Sequence, residues 1–463
     1  MENPPAADMP TSAPTEVTGL HLIADNHDAL AVRILSAREA VSTLDLMYYL
    51  WRDDRCGRLL LAEVLAAADR GVRVRILIDD INPQSSDATY LAINNHPNIE
   101  LRLFNPSIAR NGSIFRKVEL VWRVFSMTRR MHGKAWIADR KVAVVGGRNI
   151  GDEYFDAADT NFRDLDLLMF GAGVVTVCSI FDAYWNHEAA KSVRLLNPGV
   201  QQKPARTDRE KIAGEIKSVL KGRLSLKDFL AEDRRVHWVE SAGVLADPPE
   251  KVFGRNRDNW LLGKILPVLR SATKRLDIVS PYFIPGRTGT RVLAELAARG
   301  VDISIVTNSL AATDVVAVHG AYANYRAPLL RAGIKLFEFR SVLNKANLTV
   351  FGSKGASLHT KAFVVDDKTG FIGSFNFDPR SSSLNAEMGI LFEDDALAAE
   401  LDAYVQADKS PSTSFRVSLT ESGLRWDYVE EGKVRTFRTE PDASLRRRLI
   451  AAIVKWLPIE SQL

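Results

Sequence analysis

"MHGKAWIAD" (Met131–Asp139) and "LHTKAFVVD" (Leu358–Asp366) share one pattern: an apolar residue, His, any residue, Lys, four more residues, Asp. The two histidines, His132 and His359, stand far apart in a 463-residue chain that has only eight histidines. The repeat extends upstream. "LAEVLAAADRGVRVRILID" (61–79) resembles "LAELAARGVDISIVTN" (293–308), and the interval between their glycines, Gly71 and Gly300, nearly equals that between the two histidines. Each reads as an amphipathic helix that stops at glycine and gives way to a β-rich run. A strand-like piece precedes each, "LDLMYYLW" (44–51) and "LDIVSPYFI" (276–284). Strand, helix and strand with short connections predict βαβ units and parallel strands, in two tandem copies of one α/β domain. The expected division is a disordered tail over 1–20, a first domain over 21–196, a linker region over 197–235 around the polar "NPGVQQKPARTDREK", and a second domain over 236–463.

Composition narrows the class. Apolar residues make up 46% and charged residues 25%, as in soluble globular proteins. The formal net charge is +4, too small a surplus for a nucleic-acid coat. Two cysteines, Cys56 and Cys178, suit a reducing compartment and offer no disulfide framework. No run approaches the roughly 18 apolar residues of a membrane span. The Pro-, Ala- and Thr-rich opening lacks the basic and apolar regions of a signal peptide. These features predict a cytoplasmic protein.

The repeated motif carries the chemistry. Each copy fits the first strand of a hairpin, turning at "RK" in one half and "DKTG" in the other. On a strand, residues i and i+2 share a face, so His132 projects with Lys134 and His359 with Lys361. Asp139 and Asp366 lie at an odd offset from their histidines, which suits structural anchors. After six intervening residues come the turns "GGRN" (146–149) and "GSFN" (373–376), each ending in an asparagine. Farther on, each half supplies a carboxylate, Asp164 and Glu387, able to fix an imidazole tautomer and leave the other ring nitrogen free to attack. Two histidines, two lysines and two asparagines, Asn149 and Asn376, converging on one centre make a phosphate site. Lysines can supply there the positive charge that a metal supplies elsewhere. No HExxH, CxxC or EF-hand pattern occurs, so neither metal nor other cofactor is expected.

With the downstream Gly and Asn, these segments resemble the paired HKD motifs of the phospholipase D superfamily. Within it the chain is most similar to the bacterial cardiolipin synthases, particularly the C type, through "RRMHGK" (129–134), "GGRNIGDEYF" (146–155), "SPYFIP" (280–285) and "LPIESQL" (457–463). The resemblance spans the chain from about residue 20. It implies two phospholipase D-like domains, each a mixed sheet flanked by helices, related by a pseudo-twofold axis. It implies transfer of a phosphatidyl group through a phosphohistidine to the hydroxyl of phosphatidylglycerol, with phosphatidylethanolamine as a possible further substrate. By the resemblance His132, Lys134, Asp139, His359, Lys361 and Asp366 form the catalytic set, with His132 as nucleophile and His359 as acid and base. The near-symmetry of the halves leaves that order open. Asn149, Asn376, Gly147 and Ser374 would bind phosphate, and Asp164 and Glu387 would orient the histidines. Gly147 departs from the usual Gly-Ser, as the C type does. An acceptor pocket is expected, with His319 and Tyr322 as candidates to line it. Hydrolysis to phosphatidate is the alternative outcome, and a nuclease the more distant one.

A phospholipid substrate requires an anionic membrane surface as partner. The segment 109–131 holds six cations and one acid among aromatic residues and leads into His132. Arg116, Lys117, Trp122 and Arg123 are its candidate membrane contacts, making the protein peripheral on the inner membrane. The segment 444–463 is similar, with Leu445, Leu449, Ile453 and Trp456 on one stripe. That stripe is expected to dock on the core. No nucleic-acid partner is expected, and any accessory protein is unknown.

Overall fold

The computed structural model describes residues 16–81, 87–106, 129–196, 205, 209–232, 234–341 and 355–456. The first sheet contains β1 (Thr18–Ile23), β2 (Thr43–Tyr48), β3 (Arg73–Asp79), β4 (Ile99–Phe104), β5 (Ala135–Ala138), β6 (Val142–Gly146) and β8 (Asp166–Gly171), with β9 (Ala190–Ser192) and β10 (His237–Val239) at its edges. The second contains β11 (Ala242–Ala246), β12 (Arg275–Val279), β13 (Asp302–Asn308), β14 (Lys335–Phe339), β16 (Ala362–Val365), β17 (Thr369–Gly373) and β18 (Met388–Glu393). It continues into β19 (Ser414–Thr420), β20 (Gly423–Glu430) and β21 (Lys433–Phe437). β7 (Thr160–Arg163) and β15 (Gly355–Leu358) form a separate two-stranded ribbon, one strand from each half. The order β8-β6-β5-β2-β3-β4 in one sheet recurs as β18-β17-β16-β12-β13-β14 in the other. In both, the last three strands are parallel and the rest antiparallel. The duplicated βαβ segments are therefore the parallel part of each sheet.

The helices between those strands end as their glycines require. Arg55–Asp69 is capped by Asp54, whose carboxylate accepts from the Gly57 amide at 2.9 Å, and the chain turns at Gly71 with φ +96°. Gly286–Ala298 gives way at Gly300, φ +92°. The hairpins after the two motifs turn one residue earlier than expected. Asp139–Arg140 and Asp366–Asp367 all have positive φ, the geometry that matches the twist of a two-strand ribbon.

Three apolar layers hold the halves. One lies outside the first sheet, under the helices Asn26–Glu39 and Arg55–Asp69, and one outside the second sheet. The middle layer is shared: Leu20, Leu77 and Ile137 from the first sheet and Val279, Val364 and Ile390 from the second belong to one buried cluster. The helices Ala172–Asn186 and Asp395–Lys409 pack into it, each touching a strand of the other half's sheet.

The chain's division differs from expectation at three places. Thr18–Leu20, expected at the end of a disordered tail, are buried in β1 between β8 and β10. The region read as a linker carries helices Arg209–Leu220 and Leu226–Ala231, whose Ile216, Val219 and Phe229 join the first core. β10 pairs with β1, so the change of sheet falls between Val239 and Ala242. The segment 109–128 with Arg116, Lys117, Trp122 and Arg123, and the terminal 457–463, lie outside the described residues.

Candidate active site

His132 and Lys134 stand just before β5, and His359 and Lys361 just before β16, in extended chain outside the sheets. Each segment hangs on the opposite half. The His132 and Gly133 amides both donate to the Ala386 carbonyl, at 2.7 and 3.2 Å. The His359 and Thr360 amides both donate to the Arg163 carbonyl, at 2.9 and 3.0 Å. β7 and β15 pair in parallel to carry the second crossing. Ala386 and Arg163 immediately precede Glu387 and Asp164, so the same crossing delivers the carboxylates. His132 Nδ1 lies 2.8 Å from Glu387 Oε2, and His359 Nδ1 lies 2.6 Å from Asp164 Oδ2. The orienting acid of each histidine thus comes from the other half, not from the one downstream in its own repeat.

All four groups, and both lysines, are buried. Burial pushes up the Glu387 carboxyl, but the charges of His132 and Lys134 and the hydroxyl of Ser374 outweigh it and hold it at about 2. The Ser381 hydroxyl donates to its other oxygen at 2.8 Å. Asp164 is likewise held below its usual range: burial opposes, and the Lys361 and His359 charges prevail. Burial lowers His132 to about 4 against the pull of Glu387, and also lowers His359, with Lys361 adding to the effect. The ionised Glu387 beside a neutral His132 places the ring proton on Nδ1 and leaves Nε2 with its lone pair, whereas Nδ1 of His359 stands between Asp164 and the Lys361 Nζ, 2.8 Å away. Burial lowers Lys134 to about 7 and Lys361 to about 8 against the attraction of the nearby acids. Each lysine donates to the backbone carbonyl of its own histidine.

These values set a pH profile. With a short-chain phospholipid, kcat/KM should fall on the acid side as His132 gains a proton towards pH 4. On the alkaline side it should fall first as His359, held below the ordinary histidine range by burial, loses the proton it must give the leaving group, and more steeply as the lysines lose theirs between about 7 and 8, far below an ordinary lysine. A bound phosphodiester anion favours the charged lysines, so the alkaline limb of kcat should lie above that of kcat/KM. A flat kcat/KM from pH 7 to 10 would remove the lysines from catalysis.

Asp139 and Asp366 stand apart from this cluster. Asp139 accepts from the Val41, Ser42 and Thr43 amides, and Asp366 from the Thr273, Lys274 and Arg275 amides. They pin each hairpin to the start of the neighbouring parallel strand, a strand's length from the histidines. Asn149 is buried, its amide donating to the Tyr154 hydroxyl at 2.9 Å and accepting from the Leu50 amide at 3.3 Å. Tyr154 meets the His359 ring edge-on, with centroids 5.3 Å apart. One Nδ2 hydrogen of Asn149 is left for a ligand. The amide oxygen of Asn376 is buried with no partner. His319 and Tyr322 do not line an open pocket. Both are buried, and His319 joins Glu338 and Glu440 in the grouping among the described residues that has metal-ligand spacing. The Arg326 guanidinium already fills it, with Nε 2.8 Å from Glu338 Oε1.

Gly147 and Ser374, at matching positions, differ for a physical reason. A Cβ on Gly147 would lie 2.2 Å from Asp164 Oδ1, whereas Ser374 donates to Glu387. The shorter acid sits where serine's side chain would stand. Gly147→Ser should push Asp164 off His359 and lower kcat by about a hundredfold, the scale of misplacing a catalytic group by ~1 Å. Unchanged steady-state kinetics in that variant would show that Asp164 can move without cost.

Several supporting residues carry no motif. Asp79 at the end of β3 accepts from the Met131 amide at 2.8 Å. Asn308 at the end of β13 clamps Leu358 through N–H and C=O at 3.0 and 2.8 Å. Asp79 follows Gly71 by the same interval as Asn308 follows Gly300, so the repeat itself marks the pair. Asp247 accepts from the Glu387 amide at 2.9 Å and from Lys251 Nζ at 2.8 Å, with nothing in the local sequence to mark it.

Two facing halves with crossed His–carboxylate pairs and paired lysines make a site of the phospholipase D class. A family profile described as "Cardiolipin synthase, PLD-like domain" matches residues 32–166 and 265–409, one block in each half. The chain belongs to this cardiolipin synthase family. It is 36% identical over 461 residues to cardiolipin synthase C of Escherichia coli K12, covering 96% of this chain and 95% of that one. It is 27% identical over 375 residues to a cardiolipin synthase of Halalkalibacterium halodurans, covering 80% and 62%. Phosphatidylserine synthase of Haemophilus influenzae Rd KW20 shares the fold, with a TM-score of 0.61 at 16% identity over 95% of this chain and 94% of that one. Among the described residues, no helix is long and apolar enough to cross a membrane.

Proposed function

We propose that the protein makes cardiolipin by passing a phosphatidyl group through a histidine to phosphatidylglycerol. Nε2 of His132 attacks the phosphorus of a phosphatidyl donor, and the bond from phosphorus to the headgroup oxygen breaks. His359 enters as the imidazolium, favoured by Asp164 and the bound phosphodiester anion, and gives its Nε2 proton to that leaving oxygen. His359 then takes the proton of the terminal hydroxyl of phosphatidylglycerol, which attacks phosphorus and frees His132. Lys134, Lys361, Asn149 and Asn376 hold the phosphate oxygens, and the lysines supply the charge without a metal. The observation that carries this reading is the pair of buried imidazoles, 2.8 and 2.6 Å from a carboxylate of the opposite half, each followed two residues on by a buried lysine.

A cavity of about 450 Å³ is lined by Tyr49, whose ring lies 4.8 Å from the His132 imidazole. Leu61, Ile76, Ile93 and Leu101 give it an apolar floor, and Asp53 and Asp80 stand at its lining. Such a space suits an acyl chain or the glycerol end of the acceptor. The enzyme works at the cytoplasmic face of an anionic membrane, which 109–131 would touch through Arg116, Lys117, Trp122 and Arg123.

The test is incubation with labelled phosphatidylglycerol vesicles, with and without phosphatidylethanolamine, followed by lipid chromatography. Labelled cardiolipin is the expected product. Phosphatidate in its place would make the enzyme a hydrolase, and unaltered lipid would overturn the reading.

A further inference from the structure

The C-terminal helix Leu445–Val454 docks on the second half through its small side. Ala451 and Val454 are buried, and the Ala451 carbonyl comes within 2.8 Å of where a Cβ on Gly320 would stand. Arg447 on the same side donates to the Leu310 carbonyl at 2.9 Å and to the Thr313 carbonyl. The apolar stripe faces the other way. Leu445 is 82% exposed, Leu449 63%, Ile453 53% and Trp456 85%. This reverses the expectation that the stripe docks on the core.

By helical periodicity, Arg446 borders that stripe on one side and Lys455 on the other, while the half-buried Arg448 turns back to donate to the Glu440 carbonyl at 2.6 Å. Residues 444–456 hold four cations and no acid. An exposed apolar line with an aromatic end, edged by cations and free of acids, matches a helix lying in the headgroup layer of an anionic bilayer. The long basic side chains reach lipid phosphates while the leucines enter the acyl boundary. Neutral protein partners would not call for cations on both edges.

The position of the helix fits the same partner. Arg447 ties its root to Thr313, next to Asp314. Asp314 accepts from the Tyr282 hydroxyl at 2.7 Å, and its charge acts on both His359 and Lys361. The stripe is therefore anchored to the loop at the edge of the catalytic seam. We infer that the outward face of Leu445–Trp456 is a bilayer-docking surface that seats the catalytic seam on anionic phospholipid. This rests on the proposed phosphatidyl transfer for its purpose, and on exposure and charge for its evidence.

The test is co-sedimentation of the full chain with phosphatidylglycerol or phosphatidylcholine vesicles at low and high salt. The variants are Leu445→Ser/Leu449→Ser/Ile453→Ser and, separately, Arg446→Gln/Lys455→Gln. The apolar triple should weaken binding to phosphatidylglycerol vesicles by about a hundredfold. The charge pair should weaken it about tenfold and flatten its salt dependence. Melting temperature and turnover of a short-chain monomeric phospholipid should stay at wild-type values, because every substituted side chain is exposed and outside the His–Lys cluster. Unchanged vesicle affinity in the triple variant would overturn the inference. So would a triple variant that changes from dimer to monomer while keeping its vesicle affinity, since the face would then belong to a second copy. If the triple variant melts early, the charge pair decides: vesicle binding and salt dependence at wild-type levels would overturn the inference. Wild-type chain that binds vesicles but turns over no monomeric lipid would count against the proposed transfer and leave the docking surface standing.

Discussion

His132→Ala and His359→Ala should each lower turnover by at least about four orders of magnitude, and the double variant should be little slower than either. Two groups that act as one unit give effects that do not add. Each imidazole is oriented by a single acid, with Nδ1 2.8 Å from Glu387 in one case and 2.6 Å from Asp164 in the other. In the proposed mechanism neither can stand in for its partner, because attack and proton transfer fall on opposite sides of one phosphorus. A donor with a good leaving group separates the roles. It needs no proton on departure, so the variant that lacks only the acid should still show a single-turnover burst and trap a phosphatidyl-enzyme. The variant that lacks the nucleophile should show none. A burst from His132→Ala and none from His359→Ala would reverse the proposed assignment. A third of wild-type turnover in either variant would rule out a shared site.

Lys251→Met should cost about 3–5 kcal/mol of stability, the range for removing one partner of a buried ion pair. Lys251 and Asp247 are both fully buried, 2.8 Å apart. Lys251 also donates to the carbonyl of Ser381 at 2.8 Å, the same serine whose hydroxyl holds Glu387. Burial already raises the Asp247 carboxyl against the pull of Lys251, and without that lysine it would take up a proton. The protonated acid would keep a weaker hold on the Glu387 and Leu261 amides, from which it accepts at 2.9 and 2.7 Å. Adding Asp247→Asn should restore part of the loss, since no charge is then stranded. Chemical denaturation of the single and double variants measures this. Equal stability of Lys251→Met and wild type would show that the pair adds nothing to the fold. Retained kcat in a destabilised variant would separate its structural part from the positioning of Glu387.

The repeat is legible because two copies of one pattern, with histidines and glycines at nearly equal intervals, do not arise from turn chemistry or amphipathicity alone. From it follow the parallel strands, the paired histidines and the anchoring role of Asp139 and Asp366, whose odd offset places them off the reactive face. The crossing does not follow from it. Asp164 and Glu387 come after the histidines of their own halves by similar distances, and sequence spacing carries no information on which half faces which. β19 to β21 do leave a signal that the division into two equal copies overlooks: "FRVSLTESGLRWDYVEEGKVRTF" (415–437) alternates with turns at Gly423 and Gly432, both of positive φ. The C-terminal helix shows a different limit. Its periodicity reveals two faces, but which one docks depends on Gly320, a residue distant in the chain that has no side chain to keep the helix off.

The crossed acids also bear on how such a chain could arise. A symmetric pair of identical single-half chains would have to use one residue set in both seats: the same acid, the same turn, the same imidazole environment. Joining the halves lifts that constraint. Here one seat holds the short Asp164 against Gly147 and the other the long Glu387 braced by Ser374 and Ser381. The two histidines have therefore been free to take unequal inheritances, each set by residues carried in the other half's ancestry.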